Sequence, residues 1–209
     1  MLLLAQTFAK DAQLQMLRYQ LNPHFLFNTM NAISTLIYKK DNEVAGEMLD
    51  QLCAFFRYSL DEKSLQKSTL KKELELLDLY LSIEKVRFGE RLSVTVDVAS
   101  DTLCAEVPTL FLQPIVENAI KYGVETRKGK GHILVSATLE NQNIIILVKD
   151  DGAGEGEQSG KGFGIGLKNT RERLTALFNQ ESELHIENTG KGTQVYISFP
   201  FRRLEKYDS

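Results

Sequence analysis

The pattern of apolar and polar positions divides the chain into a helical first third and a mixed remainder. Up to about Leu65 apolar residues recur at helical spacing, and Lys39–Asn42 separates a first helix from a second over about 43–60. Beyond His24 the first helix is apolar nearly all round, so it needs several neighbours. We therefore predict a helical hairpin that pairs with a second copy as a four-helix bundle, in a homodimer.

Pro23 allows two interpretations of the first helix. It can occupy the first helical position, with Asn22 as the cap. Alternatively, it kinks one long helix and leaves the carbonyl of Tyr19 without its usual donor. The apolar stripe keeps helical spacing on both sides of Pro23, which favours the kink.

A polar stretch near residue 67 marks the predicted boundary between a dimerisation and phosphotransfer region (1–66) and a second domain (67–209). Helices with a largely antiparallel sheet predict an α+β fold, a two-layer α/β sandwich. The predicted elements are a helix over 70–88, a strand over 92–98, a helix that Pro108 opens and that carries Asn118, strands over 133–139 and 144–148 around a turn at 141–143, a helix over 166–178, and strands over 183–187 and 194–199.

Composition excludes several classes of protein. The net charge of −3 over 209 residues is no signature of polyanion binding, so we expect no direct nucleic-acid partner. No stretch approaches the roughly 20 apolar residues of a membrane-spanning helix, so a membrane would be reached only through a sensory segment absent from this chain. Cys53 and Cys104 lie in apolar surroundings, and we predict buried, inert thiols in a reducing cytoplasm.

Asp150 is the first part of a candidate nucleotide site. It ends an apolar strand and is followed by Gly152 and Gly154. A carboxylate at this point can accept a hydrogen bond from the exocyclic amino group of adenine, whereas guanine has a carbonyl there. Glycines let the main chain approach a ligand closely.

The remaining parts of the candidate site suit phosphate and metal. Gly162, Gly164 and Gly166 precede a helix, and the N-terminal amides of a helix favour anions. Asn118 offers an uncharged oxygen suited to Mg²⁺, which also takes phosphate oxygens and water. Each feature alone is weak, but their order along the chain predicts an ATP site.

His24 is the candidate phosphoacceptor. Imidazole titrates near neutrality, so one ring nitrogen can attack a γ-phosphorus at cellular pH. Asn28 follows one helical turn later and can orient the other ring nitrogen. A helical histidine on its own is usually structural, but the place of His24 upstream of an ATP site predicts phosphoryl transfer.

The chain resembles the LytS-like sensor histidine kinases, whose catalytic domain has the Bergerat (GHKL) ATP-binding fold. The resemblance covers residues from about 14 to 200. It implies ATP-dependent autophosphorylation of His24 and transfer of the phosphoryl group to an aspartate in the receiver domain of a response regulator. Its most specific pieces are Leu21–Asn28, Tyr80–Glu84 through Arg87–Phe88, Pro108–Gly123 and Gly164–Leu174.

The same resemblance assigns roles within the ATP site. It makes Asn118 the Mg²⁺-binding residue and Asp150 the adenine-binding residue. Lys121 matches a position near the phosphates, and Thr193 one near the adenine-site Asp. The other residues that we expect at the nucleotide are Tyr122, Gly152, Gly154, Gly162, Gly164, Ile165, Gly166 and Leu167.

Three positions depart from the family pattern. Pro114 stands where many histidine kinases have Asn and gyrase-like ATPases have a catalytic Glu, which removes the best-placed base for activating water. Tyr122 replaces a His of many relatives. Phe25 follows His24 where an acidic residue often acts as base; the proton acceptor is therefore open, with Glu117 as one candidate.

Two alternatives belong to other classes. One is a GHKL-type ATPase or serine kinase, and the other is a degenerate dimeric scaffold that binds nucleotide without transferring phosphate. Phosphohistidine is acid-labile and base-stable, phosphoserine behaves oppositely, and a scaffold acquires no label.

Overall fold

The computed structural model describes residues 23–59, 67–152 and 164–204. In these ranges every helix is too short or too polar to cross a membrane. The elements are α1 Pro23–Tyr38, α2 Asn42–Ser59, β1 Lys67–Thr69, α3 Leu70–Phe88, β2 Leu92–Val98, β3 Glu106–Pro108, α4 Gln113–Ile120, β4 Gly131–Glu140, β5 Asn143–Asp150, α5 Gly164–Phe178, β6 Glu183–Asn188 and β7 Thr193–Pro200.

The hairpin of α1 and α2 packs on α3 through an aromatic cluster of Phe25, Phe55 and Tyr80. The Phe25 ring centre lies 5.5 Å from that of Phe55 and 5.0 Å from that of Tyr80, and all three side chains are buried. Aromatic pairs at these separations stabilise a core beyond the area that they bury. The cluster therefore fixes the start of α1 against α3.

One sequence prediction about the hairpin depends on residues outside the described ranges. Asn22 and the apolar stripe before Pro23 lie outside them, so the choice between a capped and a kinked helix stays open. The prediction of buried cysteines is wrong. Cys53 is exposed on α2 because it faces away from the buried Leu52, and Cys104 is only partly buried.

The five-stranded sheet confirms the predicted α+β fold. Its strand order is β2-β4-β5-β7-β6; β2 and β4 are parallel, and the other pairs are antiparallel. Ile144, Ile146 and Val148 alternate along β5 and are at most 1% exposed, so one face of the sheet forms the core under the helices. Asn141 and Gln142 turn from β4 to β5 with φ of 48° and 66°, as a two-residue hairpin requires.

The prediction that Pro108 opens the Asn118 helix is wrong. Pro108 ends β3, where it is the partner of Lys67 in β1, and α4 begins only at Gln113. Between them Leu110 has a φ of 57°, which ends the extended chain before the helix starts. Strands of three residues are too short to show a periodic pattern, so only the pairing reveals them.

Glu73 of α3 holds the loop that leads into α4. It is buried, and its two oxygens accept hydrogen bonds from the amides of Leu110, at 2.9 Å, and Phe111, at 3.1 Å. Arg173 of α5 donates to the carbonyl of Thr109 at 2.6 Å. Burial raises the pKa of Glu73 to about 7, although the backbone bonds and Arg173 oppose the rise. The start of α4 is therefore fixed from α3 and α5.

We expect Glu73→Ala to destabilise the fold, because it leaves two buried amides without acceptors, at about 1–3 kcal/mol each. The pKa of Glu73 is higher in the folded chain than its ordinary value of 4.5, so its contribution to stability is present below pH 4.5 and is lost as pH rises through about 7. Urea unfolding at about pH 5 and about pH 8 measures both effects. Glu75→Ala, an exposed neighbour, is the control; an equal pH slope in wild type and Glu73→Ala would contradict the assignment.

Candidate nucleotide-binding and phosphotransfer site

Asp150 ends β5 with its side chain buried and held in one orientation. Its Oδ1 accepts hydrogen bonds from the backbone amides of Gly152, at 2.9 Å, and Thr193, at 3.3 Å. Burial raises the pKa of Asp150, and these two bonds offset part of the rise. Both amides reach the same oxygen, Oδ1, and the Thr193 side chain also hydrogen-bonds the carboxylate.

Two glycines make room for Asp150. A Cβ on Gly123 would lie 2.9 Å from the Asp150 Cβ, and a Cβ on Gly192 would overlap the Asp150 carbonyl oxygen. Gly192 also has a φ of 133°, which other residues rarely adopt. Gly123 therefore packs against the Asp150 side chain and Gly192 against its backbone, in addition to any role of the glycines at the phosphates.

Asn118 lies on α4 opposite the first turn of α5. A Cβ on Gly166 would lie 3.2 Å from the Pro114 Cβ and 4.0 Å from Asn118 Nδ2. The N-terminus of α5 is thus next to Asn118, where its amides can bind phosphate. The Leu167 side chain is buried in the core, which leaves only its backbone for a ligand.

The other residues predicted for the nucleotide site lie in three different places along the chain. Gly154 and Gly162 lie outside the described residues, as does the segment over 155–163. Gly164 and Ile165 lie in the first turn of α5. Lys121 is exposed after α4, with its Nζ 5.1 Å from the centre of the Tyr122 ring.

His24 and Asn118 line one cleft, which we name the transfer cleft, of about 130 Å³. Elements distant in sequence form it: the start of α1, one face of α3, and α4 with the turn that follows. Its lining residues are His24, Phe25, Tyr80, Glu84, Arg87, Glu117, Asn118, Ile120, Lys121 and Glu125.

The His24 ring is exposed and contacts Asn28. The side-chain nitrogen of Asn28 lies 3.2 Å from each of the two ring nitrogens of His24. Its neighbour Phe25 is buried in the aromatic cluster and so anchors the first turn of α1. The residue that replaces the usual acidic group therefore positions the imidazole at the transfer cleft.

Glu117 is the candidate proton acceptor that the sequence suggested. Its Oε1 accepts a hydrogen bond from Gln113 Nε2 at 2.7 Å, one helical turn earlier. Glu117 lines the transfer cleft with His24. The structure thus brings the two groups to the same cleft.

Sequence reasoning missed an ion-pair network on the floor of the transfer cleft. Arg87 donates through Nη1 to Glu84, at 2.9 and 3.1 Å, and through Nη2 to Glu125 at 2.5 Å. The Glu84 side chain is 1% exposed; burial raises its pKa, and Arg87 offsets part of the rise. A signal was present, because Glu84 follows Tyr80 by four residues on the buried stripe of α3.

Comparisons with known proteins agree with this architecture. Residues 12–92 match the family described as histidine kinase, and residues 108–203 match the family of histidine kinase-, DNA gyrase B- and HSP90-like ATPases. The chain is 37% identical over 210 residues to the sensor protein LytS of Oceanobacillus iheyensis, covering 94% of this chain and 36% of that protein. It is 34% identical over 203 residues to the sensor histidine kinase YpdA of Escherichia coli, covering 93% of this chain and 35% of that protein.

A solved structure shares the fold at low sequence identity. The histidine kinase domain of the blue-light activated histidine kinase EL346 from Erythrobacter litoralis gives a TM-score of 0.51 at 17% identity, covering 91% of this chain and 94% of that one. The two family matches together identify the catalytic region of a histidine kinase. The chain belongs to the LytS-like family of sensor histidine kinases. It spans little more than a third of the length of the curated relatives that it matches.

Proposed function

We propose that this chain transfers the γ-phosphoryl group of ATP to His24 and then to an aspartate in the receiver domain of a response regulator. The observation that carries the proposal is the transfer cleft, where His24 and Asn118 of one chain meet. Phosphoryl transfer depends mainly on positioning and on neutralisation of charge, so a shared cleft is the geometry that it needs.

The nucleotide would lie between β5 and the first turn of α5. Asp150 would accept a hydrogen bond from the adenine amino group, while Gly152 and Thr193 hold the carboxylate. The α5 amides from Gly164 onward and Lys121 would bind the phosphates. Mg²⁺, with Asn118 as its protein ligand, would neutralise charge on the phosphate oxygens.

The reaction would run within one chain. One ring nitrogen of His24 forms a bond to the γ-phosphorus as the bond from that phosphorus to the bridging oxygen breaks, and ADP leaves with the electron pair. The proton on the other ring nitrogen passes to a base, for which Glu117 is the best-placed carboxylate next to Asn118. Asn28 orients the imidazole.

Incubation with radiolabelled ATP tests this function. We expect a protein-bound label that is lost in acid and kept in base, and that passes to a receiver domain on addition of one. The opposite stability would indicate a serine kinase. Free phosphate without protein label would indicate an ATPase, and the absence of both would indicate a nucleotide-binding scaffold.

We further propose that residues 1–66 form the dimerisation region of a homodimer, that residues 67–209 form the ATP-binding domain, and that both act in the cytoplasm. Large apolar side chains on the hairpin are exposed in the single chain. Such a cluster on α1 and α2 indicates a surface that packs against another protein surface. A second hairpin would cover them in a four-helix bundle. These side chains are Phe27, Met30, Ile37, Tyr38 and Leu49.

Ile37→Glu is expected to shift the protein towards monomer, because it places a charge in the proposed interface. Val96→Glu is the matched control: Val96 is 51% exposed on edge strand β2, against 54% for Ile37, but lies away from the hairpin. Sedimentation velocity over a range of concentrations measures the dimer fraction. Identical dimerisation of the two variants would rule out the proposed interface.

A further inference from the structure

Arg87 is the one guanidinium that lines the transfer cleft in the part of the chain that the structure describes. It lies on α3 and faces the same space as His24 and Asn118. Its side chain is only 17% exposed, and its guanidinium carbon lies 4.5 Å from the centre of the Phe88 ring. Packing and ion pairs thus hold a cation where the phosphoryl group would travel.

The two partners of Arg87 differ in how firmly they are held. The side chain of Glu84 is 1% exposed and belongs to the same helix, one turn earlier. The side chain of Glu125 is 33% exposed and lies on the turn after α4. Glu84 therefore fixes the direction of Arg87, whereas Glu125 is the partner that can be exchanged.

The charges at the transfer cleft favour such an exchange of partner. Three carboxylates line it, Glu84, Glu117 and Glu125, and they would repel an incoming phosphate. Two cations oppose them, Arg87 and Lys121. A guanidinium has five N–H donors in a fork that matches phosphate oxygens, so Arg87 can donate to a phosphate while it keeps Glu84.

We propose that Arg87 is a catalytic residue: its guanidinium turns from Glu125 to the phosphoryl group and stabilises the charge on it during transfer to His24. Glu84 is the positioning residue that aims Arg87 into the cleft. Arg87 donates hydrogen bonds only, and no proton leaves it. The inference rests on the proposed kinase function.

Arg87→Met tests the role directly. We expect phosphohistidine formation at saturating ATP to slow on the order of 100-fold, as when a preorganised donor to a transition state is removed. The dissociation constant of a non-hydrolysable ATP analogue, measured by calorimetry, should stay within about threefold. Guanidinium chloride at a low, non-denaturing concentration should restore part of the rate, while equal sodium chloride should not.

Arg171→Met is the matched control, since Arg171 is also a helical arginine with a hydrogen-bonded guanidinium, which donates to the carbonyl of Leu184 at 3.1 Å, but it does not line the transfer cleft. We expect its rate to equal that of wild type. If Arg87→Met does not fold, Arg87→Lys is the test, because lysine keeps the positive charge but lacks the forked donors of a guanidinium. We expect the rate of phosphohistidine formation to fall about tenfold at an unchanged melting temperature. A wild-type rate in Arg87→Lys would overturn the proposal.

A measurement without turnover completes the test. In protein labelled with ¹⁵N-arginine, the Nε–H signal that Arg87→Lys removes should shift when the ATP analogue and magnesium are added. If this signal does not shift and the rate of Arg87→Met is within threefold of wild type, the proposed role of Arg87 is wrong, but the kinase function is unaffected. Absence of phosphohistidine in wild type overturns the kinase function as well.

Discussion

His24→Ala should bind ATP as wild type does and acquire no phosphate. The imidazole supplies the attacking nitrogen, and no other histidine lines the transfer cleft within the described residues. Removal of the nucleophile should abolish labelling, whereas the Asp150 side of the site is untouched. Radiolabel incorporation measures the first effect, and calorimetry with ATP measures the second.

His185→Ala provides the matched control, since His185 is also exposed but pairs with Glu183 on β6 at 3.4 Å. It should keep the full label. Acid-labile label that persists in His24→Ala would show that another residue accepts the phosphoryl group. Loss of label in both variants would point to damage to the fold.

The elements with a strong pattern could be predicted from sequence. The strand over 92–98 and the helix over 70–88 have the bounds that alternation and helical spacing indicate, and the helix buries apolar residues from Leu70 to Ile83. The order of Asn118, Asp150 and the glycine stretches indicated the nucleotide site for a similar reason. Each residue lies at the end or on the face of such an element.

Contacts between distant segments could not be predicted. Glu73 bonds Leu110 and Phe111 across 37 and 38 positions of sequence, and Arg87 reaches Glu125 across 38. No local spacing encodes these distances, so the β1–β3 ribbon and the floor of the transfer cleft appear only in the folded chain. A partial signal existed, because Glu73 and Glu84 interrupt the apolar stripe of α3 and a buried carboxylate needs a partner.

Asp150→Asn should fold and lose most of its affinity for ATP. The side-chain oxygen of asparagine can still accept hydrogen bonds from the amides of Gly152 and Thr193, so the local structure is kept. Its Nδ2 then stands where Oδ2 stood, and a donor faces the adenine amino group. Spoiling a polar pairing of this kind costs about 1–3 kcal/mol, or roughly 5- to 150-fold in the dissociation constant.

Asp151→Asn is the control for calorimetry, because Asp151 is an adjacent but exposed carboxylate that pairs with Arg127. Equal affinities in the two variants would contradict the adenine role of Asp150. Mixed dimers of Asp150→Asn and His24→Ala chains then test the proposed path of the phosphoryl group. Since His24 and Asn118 of one chain share the transfer cleft, neither chain of the mixture should acquire more label than it does alone; label on the Asp150→Asn chain would mean that the nucleotide of one protomer phosphorylates the other.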